Sequence, residues 1–138
     1  MMNTLHTQSL AVLALPSGAL DDDATVNGAS IDLALFKNNF RTALFVVTAG
    51  AVTDGTHTVA LQHSANGADW SDVPADRVQG GPVVVDNTKS NTVAQLGYVV
   101  GTQRYVRLKV TTADATTGGV LSAVALLAAG STAPPARA

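Results

Sequence analysis

The chain alternates between short apolar runs and clusters of turn-forming residues. Each run is five to ten residues long and rich in Val, Thr and Ala, and Gly, Pro, Asn or Asp separate one run from the next. This spacing is typical of strands in a β-sandwich or barrel, and no segment shows a sustained helical period. We predict about eight strands, over residues 9–15, 29–36, 42–49, 56–63, 82–86, 92–100, 104–112 and 119–128. One helical turn is predicted at 76–79.

The composition also favours sheet over helix. All ten acidic residues of the 138-residue chain are Asp, and there is no Glu. Glu is a good helix former, whereas the abundant Val and Thr fit a pleated sheet. We therefore predict an all-β fold, an antiparallel β-sandwich or jelly-roll-like domain over residues 9–129. An N-terminal arm (1–8) and a C-terminal tail (130–138), which contains Pro134 and Pro135, are expected to be extended.

Alternation along the predicted strands assigns side chains to the two faces of a sheet. In 56–63, Val59 and Leu61 are expected to face the core. In 104–112 the even positions are apolar and are also expected to face the core: Val106, Leu108 and Val110. The odd positions of the same strand form an outward ladder: Tyr105, Arg107 and Lys109.

Three predicted strands, 9–15, 42–49 and 119–128, are apolar on both faces. A sandwich with one solvated surface on each sheet does not need so many of these strands. Charged residues are only 13% of the chain, against about 25% in an ordinary soluble domain. We therefore expect other chains to cover some of the outer faces. Further copies of this chain are among them, in a homo-oligomer such as a trimer. The alternative is that small Ala and Val side chains are exposed singly, which is common in monomers.

The sequence offers no catalytic, cofactor or metal site. With no Cys, disulfides and Cys-zinc sites are excluded. His57 and His63 are six residues apart, about 20 Å along one strand, too far to share a metal. The run Asp21–Asp23 lacks the spacing of a calcium loop and is read as a solvated turn. Because no nucleophile or nucleotide-binding motif is present, we do not predict an enzyme.

Charge and hydropathy argue against two further partners. A net charge of −2 gives no support to direct binding of nucleic acid. The uncharged stretch 115–136 is interrupted by Gly and Pro, and its apolar centre, 120–129, is too short to span a bilayer. No Lys or Arg precedes Lys37, so a secretory signal is not indicated.

Four residues are the predicted partner contacts: Trp70, Tyr105, Arg107 and Lys109. Trp70 is the single tryptophan of the chain and suits either a sugar-stacking platform or an anchor in a core or interface. The Tyr105, Arg107 and Lys109 ladder could dock an acidic partner, or it could be an ordinary solvated face.

The order of several motifs carries a resemblance to a known family. The segment HSANGADWSDVP at 63–74 is followed by YVVG at 98–101, RYVRLKV at 104–110 and TGGVLSAVAL at 117–126. Over residues 41–127 this order resembles small virion structural proteins of tailed bacteriophages and prophages. These proteins occur alongside major capsid proteins and are often taken as head decoration, or cement, proteins.

The resemblance implies a virion structural protein on the capsid surface, made in the host cytoplasm. Its partner would be the shell of major capsid protein, which it would stabilise by binding and without a catalytic residue. Two alternatives stay open. One is a carbohydrate- or receptor-binding module of a tail or fibre, with Trp70 and Asp72 at an exposed site. The other is a ring-forming tail or head–tail connector component.

Overall fold

The computed structural model describes residues 4–35 and 38–130. One helical turn, α1 (Leu5–Gln8), precedes the strands. The strands within the described residues are β1 (Ser9–Leu20), β2 (Thr25–Asn27), β3 (Ile31–Asp32), β4 (Thr42–Val52), β5 (Thr56–Ser64), β6 (Ser71–Asp72), β7 (Val78–Gln79), β8 (Val83–Val85), β9 (Val93–Val99), β10 (Tyr105–Ala113) and β11 (Gly119–Ala128). The 3-10 helices Ala75–Arg77 and Asn87–Lys89 lie between strands.

The strands form two antiparallel sheets that enclose one hydrophobic core, and the predicted all-β sandwich is confirmed. The first sheet has the order β1-β11-β4-β9-β7. The second has the order β2-β10-β5-β6, with β3 also paired to β10 and β8 to β5. The predicted inward positions of β5 and β10 are buried in the core: Val59, Leu61, Val106, Leu108 and Val110. The first sheet supplies the opposing large side chains: Phe45, Leu96, Tyr98, Leu121 and Leu127.

Several predicted boundaries are wrong for local reasons. Within 29–35, the described part of the predicted strand 29–36, only Ile31–Asp32 is a strand, and residue 36 lies outside the described residues. The Asp32 carboxylate accepts a hydrogen bond from the backbone N–H of Ala34 at 2.9 Å, and such local bonds favour a turn. The first strand does not stop at Leu15 but continues to Leu20, with register irregularities on either side of Leu15. Pro16 is tolerated there because β1 is an edge strand.

Two further segments differ from expectation. The helical turn predicted at 76–79 is a 3-10 helix at Ala75–Arg77, and Val78–Gln79 instead pairs with β9. The N-terminal arm is not wholly extended. Thr4 caps α1, because its hydroxyl accepts from the Thr7 backbone N–H at 3.2 Å. Residues 1–3 of the predicted arm and 131–138 of the predicted tail lie outside the described residues.

Asp54 fastens the β4–β5 turn to the loop before β11. Its Oδ1 accepts hydrogen bonds from the backbone N–H groups of Thr116, Thr117 and Gly118 at 3.1, 3.1 and 2.6 Å. These bonds, above all the one from Gly118, hold the pKa of the Asp54 carboxyl below its ordinary value of 3.8. A carboxylate shared by three backbone donors therefore joins one end of the first sheet to a distant loop.

The Asp54 contacts predict a pH-dependent loss of stability in Asp54→Asn. A depressed folded-state pKa adds stability above the unfolded-state pKa, and that stability is lost as the pH falls through the folded-state value. Asp54→Asn is thus expected to unfold at a lower temperature than the unsubstituted protein at neutral pH. The gap should close below pH 3.8, the ordinary value for this carboxyl. Thermal unfolding across a pH series measures it, with the exposed Asp114→Asn as control. A gap that is constant with pH contradicts the prediction.

Candidate functional site

The outer face of the second sheet gathers the polar and aromatic side chains predicted as contacts. Antiparallel pairing of β5 with β10 sets Arg107 opposite Gln62 and Tyr105 opposite Ser64. Strand β6 then sets Asp72 opposite Gln62. We call the surface formed by six of these side chains the charged face: Gln62, Trp70, Asp72, Tyr105, Arg107 and Lys109.

Arg107 is the centre of the charged face. Its Nε and Nη2 both donate to the Oε1 atom of Gln62, at 3.0 and 2.8 Å. Its guanidinium carbon lies 4.2 Å from the centroid of the Trp70 ring, which is a cation–π contact. The two donated bonds orient the guanidinium plane, and the guanidinium in turn packs against the indole. One face of the Trp70 ring is therefore covered by Arg107.

Gln62 links this pair to a second one. Its Nε2 donates to the Oδ1 atom of Asp72 at 3.2 Å. The Nζ atom of Lys109 lies 3.1 Å from the same oxygen. The hydrogen bond from Lys109, followed by that from Gln62, lowers the pKa of the Asp72 carboxyl below its ordinary value. Because both ends of the Gln62 amide are engaged, Trp70, Arg107, Asp72 and Lys109 form one connected network.

The turn before Trp70 is held by its own side chains. The Asn66 Oδ1 accepts from the backbone N–H groups of Ala68 and Asp69, both at 2.9 Å. Ser64 Oγ accepts from the backbone N–H of Gly67 at 2.9 Å, and the φ of Gly67 is +79°. Side-chain oxygens that bind nearby backbone donors stabilise turns of this kind. The turn therefore sets where the chain re-enters the sheet and where Trp70 lies.

Tyr105 is the first residue of β10 and lies beside a second ion pair, between Arg104 and Asp32. The guanidinium carbon of Arg104 is 5.3 Å from the centroid of the Tyr105 ring. Arg104 also makes two hydrogen bonds to the carboxylate of Asp32, each 2.9 Å long. The bond from Arg104 is the main cause of a lowered pKa at Asp32. Tyr105 thus shares the charged face without a direct bond to the Gln62 network.

A groove of about 510 Å³ opens beside this network. It lies where β6 and β8 leave part of the β5 edge between them, and Asp72 and Lys109 stand on its rim. Its walls are mostly apolar: Leu61, Val73, Val78, Pro82 and Leu96. The surface therefore combines an apolar recess with fixed polar groups at its edge, a combination typical of binding sites.

His57 and His63 contact other side chains within the fold. His57 is fully buried, and its Nδ1 is 2.9 Å from Thr112 Oγ1. The Nδ1 atom of His63 is 2.9 Å from the hydroxyl of Tyr98, and burial lowers the pKa of His63. Among residues 4–35 and 38–130, no group of three or more His or Asp side chains is placed to hold a metal ion. Within the same ranges, no helix is long and apolar enough to cross a membrane.

The structure brings three of the four predicted contacts into one network and sets Tyr105 beside it. The linking role of Gln62 was not predicted from the sequence, and Asp72 was predicted only as part of a sugar-binding alternative. Gln62 is on β5, five residues before the turn residue Gly67. Its partner Arg107 is on β10, much later in the chain. Only the β5–β10 register, which no short motif encodes, reveals that link. The role of these residues as partner contacts stays a prediction.

No protein-family model matches the chain, and no curated protein matches it. The chain is similar to the SPBc2 prophage-derived protein YomS, with a TM-score of 0.52, 10% identity, and coverage of 87% of this chain and 93% of that one. It is also similar to part of Clostridium thermocellum xylanase 10B with its CBM22-1 and GH10 modules, with a TM-score of 0.42, 9% identity, and coverage of 96% of this chain and 28% of that one. The chain therefore shares its fold with a prophage-derived protein.

Proposed function

We propose that this protein is a structural component of a bacteriophage virion, which binds the shell of major capsid protein and stabilises it. The charged face is the docking surface in this proposal. The observation that carries it is the network in which Gln62 holds Arg107 against Trp70. Trp and Arg are the residues that most often dominate the energy of protein interfaces.

The network suits binding because it is held in place within the single chain. Ordering a long side chain at an interface costs about 0.5–1.5 kcal/mol, and a side chain that is already fixed avoids much of that cost. Arg107 is fixed by two hydrogen bonds, and Trp70 by the guanidinium and by the preceding turn. A shell repeats the same docking site many times, so modest contacts can add to a large stabilisation of the whole particle.

Two independent observations support a phage context. The motif order over 41–127 resembles virion structural proteins, and the fold is shared with the prophage-derived protein YomS. A compact antiparallel body with few charges agrees with a role exercised through contact surfaces and not through chemistry. The mechanism would be the bridging of neighbouring shell subunits, so that the shell resists outward pressure from packed DNA.

Cosedimentation with shells tests the proposal. Shells are prepared from a phage that lacks this gene, mixed with the purified protein, pelleted, and then heated until they rupture. We expect binding at a fixed number of copies per shell and a higher rupture temperature. A protein that stays in the supernatant over a wide range of concentrations would show that the proposal is wrong.

A carbohydrate-binding role is the second candidate. Trp70 and Asp72 belong to the same Gln62 network, and the apolar groove begins beside Asp72. Sugar binding needs an open aromatic face, whereas Arg107 covers one face of the Trp70 ring. A glycan array separates the two roles. Binding to a glycan that Trp70→Ala abolishes would favour this candidate, and no glycan binding is expected if the charged face docks on a shell.

A further inference from the structure

The outer face of the first sheet is chemically unlike the charged face. Its outward positions on β1, β11, β4 and β9, which the structure describes in full, include no Asp, Lys, Arg or His. We call these outward side chains the uncharged face. One row across it follows from the strand registers, in which Leu13 pairs with Val124, Val124 with Val46, and Val46 with Gln95.

Large apolar side chains on this face are open to solvent in the single chain. Leu13 is 56% exposed and Val124 is 41% exposed, and Val46 beside them is half-buried. Contiguous apolar patches of more than a few hundred Å² are uncommon on monomers and mark interaction sites. Strands β1, β4 and β11 thus pack one apolar side into the core, and their other apolar side forms a sheet face with no partner in the single chain.

The size of the face fits a specific interface. Four strands about 4.8 Å apart, each with about nine residues rising about 3.3 Å, give roughly 570 Å². Two such faces would bury about 1,100 Å² in total, which is above the usual range of about 800 Å² for lattice contacts and close to the lower end for specific complexes. A smaller partner or a single extended segment would leave much of this area in water.

We propose that two copies of this chain pack through their uncharged faces around a two-fold axis. A two-fold interface brings each surface against itself, so any charge near the axis would meet a like charge. The uncharged face avoids that repulsion along all four strands, whereas the charged face, with Arg107 and Lys109, does not. Packing of two sheets face to face about 10 Å apart also allows side chains such as Leu13 and Val124 to interdigitate.

The pair would present two charged faces that point away from each other. Such a dimer is bivalent, which suits the bridging of shell subunits. The dimer itself does not depend on shell binding. It is tested in solution without shells, so its failure and the failure of the proposed function can be told apart.

Sedimentation velocity over a range of protein concentrations tests the pair. We expect the unsubstituted protein to be a dimer and Val124→Asp to weaken association at least about tenfold, because a buried unpaired charge is costly. Val84→Asp is the matched control. Val84 is 42% exposed, close to the 41% of Val124, but it lies on β8 in the second sheet. The control is expected to remain dimeric.

Three outcomes would overturn the proposal. These are a monomeric unsubstituted protein, a trimer, or a dimer that Val124→Asp leaves unchanged. In the first of these outcomes, a deletion of residues 131–138 that turns the monomer into a dimer would show that the tail, and not a second copy, covers the face. If Val124→Asp does not fold, Leu13→Asp on the edge strand β1 provides the same test at a more exposed position.

Discussion

Gly118→Ala is expected to lower the free energy of unfolding by at least about 3 kcal/mol, from backbone strain and overlap together. Gly118 has a φ of +77°, a conformation that L-residues with a Cβ adopt at a cost. A Cβ at this position would also overlap the backbone carbonyl of Leu20. The same residue donates its N–H to Asp54 at 2.6 Å. The substitution therefore strains a turn, displaces the end of β1 and weakens the Asp54 contacts together.

Gly18→Ala is the matched control for this effect. A Cβ added at Gly18 would meet nothing within 4 Å. Its stability is expected to change by no more than about 1 kcal/mol in either direction. Urea unfolding followed by far-ultraviolet circular dichroism measures both variants. Equal unfolding midpoints for Gly118→Ala and Gly18→Ala would contradict the account of the loop before β11.

Trp70→Ala and Arg107→Ala are each expected to weaken shell binding about 30-fold or more, the loss typical of an interface hot spot. Without Arg107 the indole loses its cation, and without Trp70 the guanidinium loses its cover. Because the two side chains act as one unit, the double variant should lose much less than the product of the two single losses. Binding isotherms with shells of the gene-deleted phage measure all three variants.

Arg41→Ala controls for the loss of a positive charge. Arg41 is exposed and comes directly before β4, a strand of the first sheet, whereas the Gln62 network lies on the second sheet. Its affinity for shells is expected to match that of the unsubstituted protein. If Arg41→Ala weakens binding as much as Arg107→Ala does, the contribution is general charge and not the charged face. If the loss of shell affinity in the double variant equals the product of the two single losses, Trp70 and Arg107 act separately.

The sequence was sufficient where a strict two-residue period applied. Alternation along β10 correctly placed Val106 and Leu108 in the core and Arg107 outside it, because neighbouring strand side chains must point to opposite faces. The short strands β2, β6 and β7 were not predicted, since two or three residues carry no period. Residues 29–35 of the predicted strand 29–36 do not form a continuous strand, because the Ala34 backbone N–H donates to the Asp32 carboxylate and favours a turn.

The contacts and the strand order that could not be predicted depend on the register between strands that are distant in the sequence. Trp70 and Arg107 are 37 positions apart in the numbering, and their contact requires the pairing of β5 with both β6 and β10. Both were predicted as partner contacts, but the cation–π contact between them, with Arg107 held by Gln62, was not. The absence of charge on β1, β4, β9 and β11 was visible in the sequence. That these strands lie side by side in one sheet was not.

Oxidative footprinting of Trp70 on shells tests the central claim most directly. Trp70 is the single tryptophan of the chain, so one peptide in the mass spectrum reports on the charged face. The free protein and the shell-bound protein are exposed to the same dose of hydroxyl radicals. The account predicts that shell binding protects Trp70 strongly. Equal oxidation of Trp70 in the free and the fully bound protein would contradict the assignment of the charged face as the docking surface.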